Sequence, residues 1–255
     1  TANVTAKPLS VSGITTSNKT YDGNTTATLN TGGVTYTGLI GGDVFNGTYT
    51  GAFSDKNVGT GKTVTITPSY TGADVSNYSV TDHATITANI TAKALTVSGI
   101  TASNKTYDAN TTATLNTGSV AYTGKIDGDD FNGTYTGAFS DKNVGTGKTV
   151  TITPSYTGAD VGNYAVTDHS TVTANITAKA LSVSGITASD KTYDGNDVAT
   201  LNTGAVLYSG LINGDTFLGT YTGAFNNANA GTGKTVTITP TYSGADVGNY
   251  SITNH

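Results

Sequence analysis

A repeat of constant length constrains this chain more than any other feature. Lys7, Lys93 and Lys179 head three segments spaced 86 residues apart. Thr20-Tyr21-Asp22-Gly23-Asn24 returns as Thr106-Tyr107-Asp108-Ala109-Asn110 and as Thr192-Tyr193-Asp194-Gly195-Asn196, and Gly72-Ala73-Asp74-Val75 returns at Gly158 and Gly244. Whatever one segment folds into, the chain folds into three times. Such a unit is longer than the roughly 20–50 residues of a solenoid repeat and long enough for one small domain. The expectation is one independent domain per segment, over residues 7–92, 93–178 and 179–255. Residues 1–6 (TANVTA) match Thr87 to Ala92 (TANITA) and read as the tail of a preceding unit. The third segment stops at His255, the counterpart of His83 and His169, so its final strand is missing. The chain therefore reads as a monomeric fragment of a longer array. The alternative has the leading strand of one molecule completing the third domain of another.

Within a segment the apolar residues have period two. Phe45, Tyr49 and Phe53 share one parity, as do Val64, Ile66 and Tyr70, and a third run goes from Tyr78 through Val80, Ile86 and Ala88 to Ile90. Alternation of this kind marks half-buried antiparallel strands. Turn chemistry lies between the runs, at Asp22-Gly23, Gly41-Gly42-Asp43, Asn57-Val58-Gly59 and Gly72-Ala73-Asp74. The chain contains no Glu, Gln, Arg or Met, so good helix formers are scarce, while Thr, Val, Ile and 15 Tyr favour strands. About seven short strands per segment predict three tandem antiparallel, Ig-like β-sandwiches; a β-grasp variant is the alternative. The phase of the apolar pattern flips at Lys93-Ala94, from Ile90 and Ala92 to Leu95 and Val97, with no flexible spacer between. Domains joined this way predict a linear rod, each about 35–45 Å long and three together about 100–130 Å.

The recurring Lys-x-Leu-x-Val-x-Gly-Ile-Thr, the Lys-Thr-Tyr-Asp-Gly that follows it, the Gly-Asp-x-Phe of residues 42–45 and 214–217, and Asn-x-Gly-Thr-Gly resemble the YDG repeats of large bacterial surface proteins. The resemblance covers the whole chain. It implies an adhesin of the filamentous-haemagglutinin type, on the bacterial cell surface and outside the cell, in which such repeats form a stalk that projects a distal binding region. Ala109 stands where the motif has glycine. Alanine rarely adopts positive φ, so this turn is expected not to need a left-handed residue.

Chemistry is sparse. The net charge of −5 argues against phosphate-backbone contacts, hence against nucleic acid. No apolar run approaches the roughly 18 residues of a membrane helix, and the absence of Cys excludes disulfides and thiol nucleophiles. Gly61-Lys62-Thr63 lacks the preceding glycine of a phosphate loop, since that place holds Lys56, Lys142 and Ala228, and it leads into a strand. Asp168-His169-Ser170 contains triad residue types, but neighbours on a strand face opposite ways. The third segment replaces that aspartate with Asn254. Asp127-Gly128-Asp129-Asp130 suggests calcium, yet only one of these Asp recurs in the matching loops. Lys19, Lys105 and Lys191 share a repeat position in an Asn-rich chain, which leaves Lys–Asn crosslinks open, with a solvated lysine the favoured reading. No catalytic, cofactor or metal residue is assigned, and no enzyme activity is expected. The rival to a spacer is a set of repeats that bind polysaccharide, host protein or neighbouring copies, as in a biofilm matrix, through rows formed by Tyr36, Tyr122 and Tyr208 or by Tyr49, Tyr135 and Tyr221.

Overall fold

The computed structural model describes residues 1–253 and is all-β, built from three repeated domains. Among the described residues its helical segments are three single 3-10 turns, at Val75–Asn77, Val161–Asn163 and Val247–Asn249, so the β-grasp alternative finds no longer helix. Asn254 and His255, to which the sequence comparison assigned counterparts of Asp82 and His83, lie outside the described residues. Two compact units divide the chain. The first holds Thr1–Ser98, Val120–Thr134 and Ser155–Asp168, and the second holds Gly99–Ser119, Tyr135–Pro154 and the rest from His169.

The first unit contains the whole first copy. Its strands are β1 (Lys7–Ser12), β2 (Thr15–Thr16), β3 (Lys19–Thr20), β4 (Thr26–Ala27), β5 (Leu29–Asn30), β6 (Thr35–Thr37), β7 (Asn46–Phe53), β8 (Gly59–Thr71), β9 (Tyr78–Thr81) and β10 (Thr85–Thr91). They form a three-stranded sheet in the order β6-β1-β9, a five-stranded sheet in the order β3-β10-β8-β7-β4 and a ribbon of β2 with β5. Two pairings depart from the antiparallel expectation, because β1 runs parallel to β9 and β3 parallel to β10. Each joins an early strand to a late one, which is how a parallel pair is made without a hairpin. The run from Tyr78 to Ile90 keeps its parity but is two strands. It leaves the small sheet after Thr81 and enters the large one at Thr85.

Burial follows the alternation. In β8 the side chains of Val64 and Ile66 are buried, with Thr63, Thr65 and Thr67 exposed. Leu9, Val11 and Ile14 from the small-sheet side cluster with Phe45, Ile66 and Tyr78, and Ile86 packs against them. The Phe45 ring lies 5.2 Å from Tyr36, 5.0 Å from Tyr70 and 5.8 Å from Tyr78.

In the second unit, buried residues of two copies join in one cluster. Its buried cluster contains Tyr107, Phe139, Val150 and Ile176 of the second copy together with Leu181, Val183, Phe217 and Tyr250 of the third. Apolar packing therefore continues through the boundary at Lys179, and the physical reason is the tyrosine described below. In the third copy the large sheet has three strands, Val198–Ala199, Leu218–Phe225 and Val236–Ser243. The counterpart of β8 falls from 13 residues to 8, and Val236 and Phe225 are half-buried where Val64 and Phe53 are buried. A cavity of about 500 Å³ lies beside Lys191, Tyr193, Phe225, Asn227 and Lys234.

Candidate functional site

The side chains that the fold assembles most deliberately lie where one copy meets the next. They start from the repeated turn after β3. The Lys19 ammonium sits 2.6 Å from Asp22 Oδ1, 2.7 Å from the Asn24 carbonyl, 3.1 Å from Asn24 Oδ1 and 3.1 Å from the Thr26 carbonyl. It also lies 5.5 Å from the centre of the Phe53 ring. Lys105 and Lys191 repeat this cage around their own turns. Burial would raise the Asp22 carboxyl, but the Lys19 ammonium and the Asn24 N–H outweigh it and hold the group below its ordinary value. Lysine thus acts as a built-in cation that orders the turn.

The residue after Tyr-Asp in this turn is left-handed in every copy, with φ of 79° at Gly23, 63° at Ala109 and 80° at Gly195. Ala109 adopts the conformation that the sequence argument judged dispensable, and it is the one non-glycine residue at positive φ among the described residues. The strain of an L-residue there, roughly 1–2 kcal/mol, is offset by packing, since Ala109 lies against the shared core of the second unit. A Cβ at Gly23 would stand 3.4 Å from Ile126 Cγ2, an ordinary contact.

With the turn fixed, the tyrosine is aimed. The Tyr21 N–H donates to the Thr91 carbonyl at 2.8 Å, at the end of β10. Only Ala92 separates β10 from β11 (Lys93–Ser98), the first strand of the next copy. The Tyr21 ring, 1 % exposed, enters that copy and meets Tyr164 edge-on at 5.6 Å. Its hydroxyl donates to Asp129 at 2.9 Å and to Asp160 at 3.4 Å. Lys56, in the loop between β7 and β8, reaches Asp160 at 2.8 Å and Asp129 at 3.3 Å, and lies 5.8 Å from the Tyr21 ring centre. Beside it the Val58 N–H donates to Asn163 Oδ1 at 2.9 Å, and Asn163 Nδ2 donates to Asn57 Oδ1 at 3.2 Å.

The second unit builds the same joint 86 positions on. Tyr107, 1 % exposed, donates to Asp215 at 3.0 Å and packs edge-on against Tyr250 at 5.7 Å. Lys142 lies 3.0 Å from Asp246 and 3.6 Å from Asp215, and the Val144 N–H donates to Asn249 Oδ1 at 2.9 Å. Tyr193, the third of the set, is 65 % exposed.

The electrostatics match the geometry. The Lys56 ammonium, followed by the Asp130 N–H, holds the Asp160 carboxyl below its ordinary range. The Thr216 N–H and then Lys142 do the same for Asp246. Hydrogen bonding to Asp160 and Tyr21 raises Lys56, and burial raises Tyr21. Burial and the bond to Asp129 push Tyr164 up to about 12, and burial with the bond to Asp215 does so for Tyr250. Two carboxylates face one ammonium and two phenols, an arrangement that holds surfaces together.

Other residues singled out from the sequence fall elsewhere. The Asp127-Gly128-Asp129-Asp130 loop does not converge on a cation of its own, because Asp129 is taken by Tyr21, Tyr164 and Lys56. Lys62 of Gly61-Lys62-Thr63 pairs with Asp55 at 2.6 Å. Asp168-His169-Ser170 lies in a connection and not in a strand, and Asp168 accepts from the Tyr156 hydroxyl. Tyr36 and Tyr49 are half-buried and bonded to each other at 3.1 Å, and their hydroxyls cover Gly47. Tyr208 and Tyr221 repeat this at 3.0 Å. Sequence reasoning missed Tyr21, Lys56, Asp160 and Asn163 as partners.

A tandem all-β array whose copies interlock through a Tyr-Asp-Gly/Ala turn defines a class of repeat protein. The YDG domain family matches this chain at residues 5–88, 91–173 and 177–255. The chain belongs to that family. No curated protein and no solved structure matches it.

Proposed function

We propose that the chain is a non-catalytic spacer, a length of stalk in a bacterial extracellular adhesin that holds a distal binding region away from the cell surface. The joint carries this reading. A spacer transmits position only if its copies do not swivel, and here one residue of chain, a buried tyrosine, a shared lysine and an asparagine bridge all resist rotation. We also read each copy as a two-layer sandwich, supported in the first copy by a cluster fed from both sheets. The binding alternative gains little from the tyrosine rows, whose rings are half-buried and whose hydroxyls pair with each other. Small-angle scattering of the chain tests the proposal. A largest dimension of about 100 Å or more is expected from strands of this length, and one below about 80 Å refutes it.

A further inference from the structure

The repeated lysines of the Tyr-Asp turn, expected to be solvated, are caged instead. The side chains of Lys19, Lys105 and Lys191 are 17 %, 16 % and 23 % exposed. Each stands beside the same two partners, an aspartate three positions on and an asparagine five positions on. Nζ lies 2.6 Å from Asp22, 2.6 Å from Asp108 and 2.8 Å from Asp194. It lies 3.1, 3.0 and 2.8 Å from the side-chain oxygens of Asn24, Asn110 and Asn196. A backbone N–H also donates to that amide oxygen, from Thr26 at 2.9 Å, Thr112 at 2.9 Å and Val198 at 3.0 Å. In the third turn Asn196 Nδ2 donates to Asp194 Oδ2 at 2.9 Å, so one carboxylate touches both the amine and the amide nitrogen. The rings of Phe53, Phe139 and Phe225 stand beside the ammonium, their centres 5.5, 5.6 and 5.8 Å from Nζ.

A nucleophile, a proton carrier, an electrophile and an oxyanion donor thus lie within hydrogen-bond reach of one another, three times over. We propose that each turn is a self-joining site, where the lysine displaces ammonia from the asparagine and leaves an amide crosslink between the two side chains. The ion pair is the resting state. A proton passes from the Lys19 ammonium to Asp22 along their hydrogen bond, and the free amine attacks Asn24 Cγ. The Thr26 N–H meets the negative charge that develops on Oδ1. Asp22 gives its proton to Nδ2 and takes one from the attacking nitrogen. The oxyanion collapses, the Cγ–Nδ2 bond breaks with its electron pair on nitrogen, and the departing ammonia takes up the remaining proton as ammonium. No oxidant, reductant or water is consumed. The fixed turn makes the step intramolecular, which supplies the proximity that free side chains lack. Its product closes with a covalent bond the turn that aims Tyr21.

Intact-mass spectrometry of the full chain, denatured after prolonged incubation in the folded state, reads the step directly. The mass should fall below that of the sequence by one ammonia per turn. Proteolysis should release a branched peptide joining Lys19 to Asn24, with counterparts at Lys105 and Lys191, each resistant to cleavage after its lysine. Lys105→Arg keeps a cation in the cage but offers no neutral amine, so it should restore the mass of one ammonia. Asp108→Asn keeps an acceptor for the Asn110 N–H but removes the proton carrier, and should slow the loss at that turn alone. Circular dichroism shows whether each variant folds, and where one does not, the branched peptides of the native chain decide. Succinimide formation at Asn46-Gly47, Asn132-Gly133 or Asn213-Gly214 also sheds ammonia, but does so whether or not the lysine is present. A native chain that keeps its full mass, or a loss that Lys105→Arg leaves unchanged with no branched peptide in the digest, overturns the proposal.

Discussion

Tyr107 and Tyr193 occupy the same place in nearly identical turns, yet one is 1 % and the other 65 % exposed. Truncating each separates the role of the motif within its own copy from its role in the next. Tyr107→Ala empties a ring-sized hole against Tyr250 and should destabilise by about 3–5 kcal/mol, the range for large aromatics cut to alanine in cores. Tyr107→Phe keeps the ring and removes the bond to the Asp215 carboxylate, a loss of roughly 1.5–3 kcal/mol. Either change at Tyr193 should stay within about 0.5 kcal/mol, as for other exposed sites. At about 2–4 °C per kcal/mol for a chain of this size, Tyr107→Ala should lower the melting temperature by roughly 6–20 °C. Thermal unfolding by circular dichroism and calorimetry reads the shift. Hydrogen exchange of the Val144 amide, held by Asn249 across the joint, shows where it arises. Equal losses from Tyr107→Ala and Tyr193→Ala would refute the reasoning, because the tyrosine would then act inside its own copy.

Acid should loosen the joints. The depressed carboxyls of Asp160 and Asp246 stabilise the fold fully above the ordinary carboxylate value near 3.9 and lose that contribution as pH falls through their folded values. Exchange of the Val58 and Val144 amides should therefore quicken selectively below about pH 4. Alkali acts on the other partners. Tyr164 and Tyr250, pushed up to about 12, contribute fully below the ordinary phenol value near 10 and lose this as pH rises through 12, so absorbance at the phenolate band should show a late-titrating group. Two left-handed glycines should respond differently to alanine. Gly23→Ala has a tolerated contact to Ile126 but keeps a left-handed φ, and should lose roughly 1–2 kcal/mol, as measured by denaturant unfolding. Gly13→Ala would put a methyl 2.0 Å from the Gly33 carbonyl, and should lose more than about 2 kcal/mol in the same assay.

Much of the fold was legible because alternation survives folding unchanged. Val64, Ile66, Ala88, Ile90, Leu95 and Val97 are buried on the parity read from the sequence, and the flip at Lys93-Ala94 is where β10 gives way to β11. Parity does not say which strands pair. It could not show that β9 and β10 belong to different sheets, nor that β1 and β3 each take a parallel partner. The joint was harder to see for the same reason. Tyr21 lies 108 positions from Asp129, and no local pattern links a turn residue to carboxylates in the following copy. Ala109 misled because propensity argued against a conformation that its neighbours impose.

The continuous apolar cluster of the second unit also determines how force would be borne. A string of autonomous beads releases slack one bead at a time, each rupture leaving its neighbour untouched. Where Tyr107 is wedged into the packing around Leu181 and Phe217, the mechanical element straddles the sequence boundary. Tension that frees the second copy's large sheet uncovers part of the third, so rupture lengths under load should not come in simple multiples of one repeat.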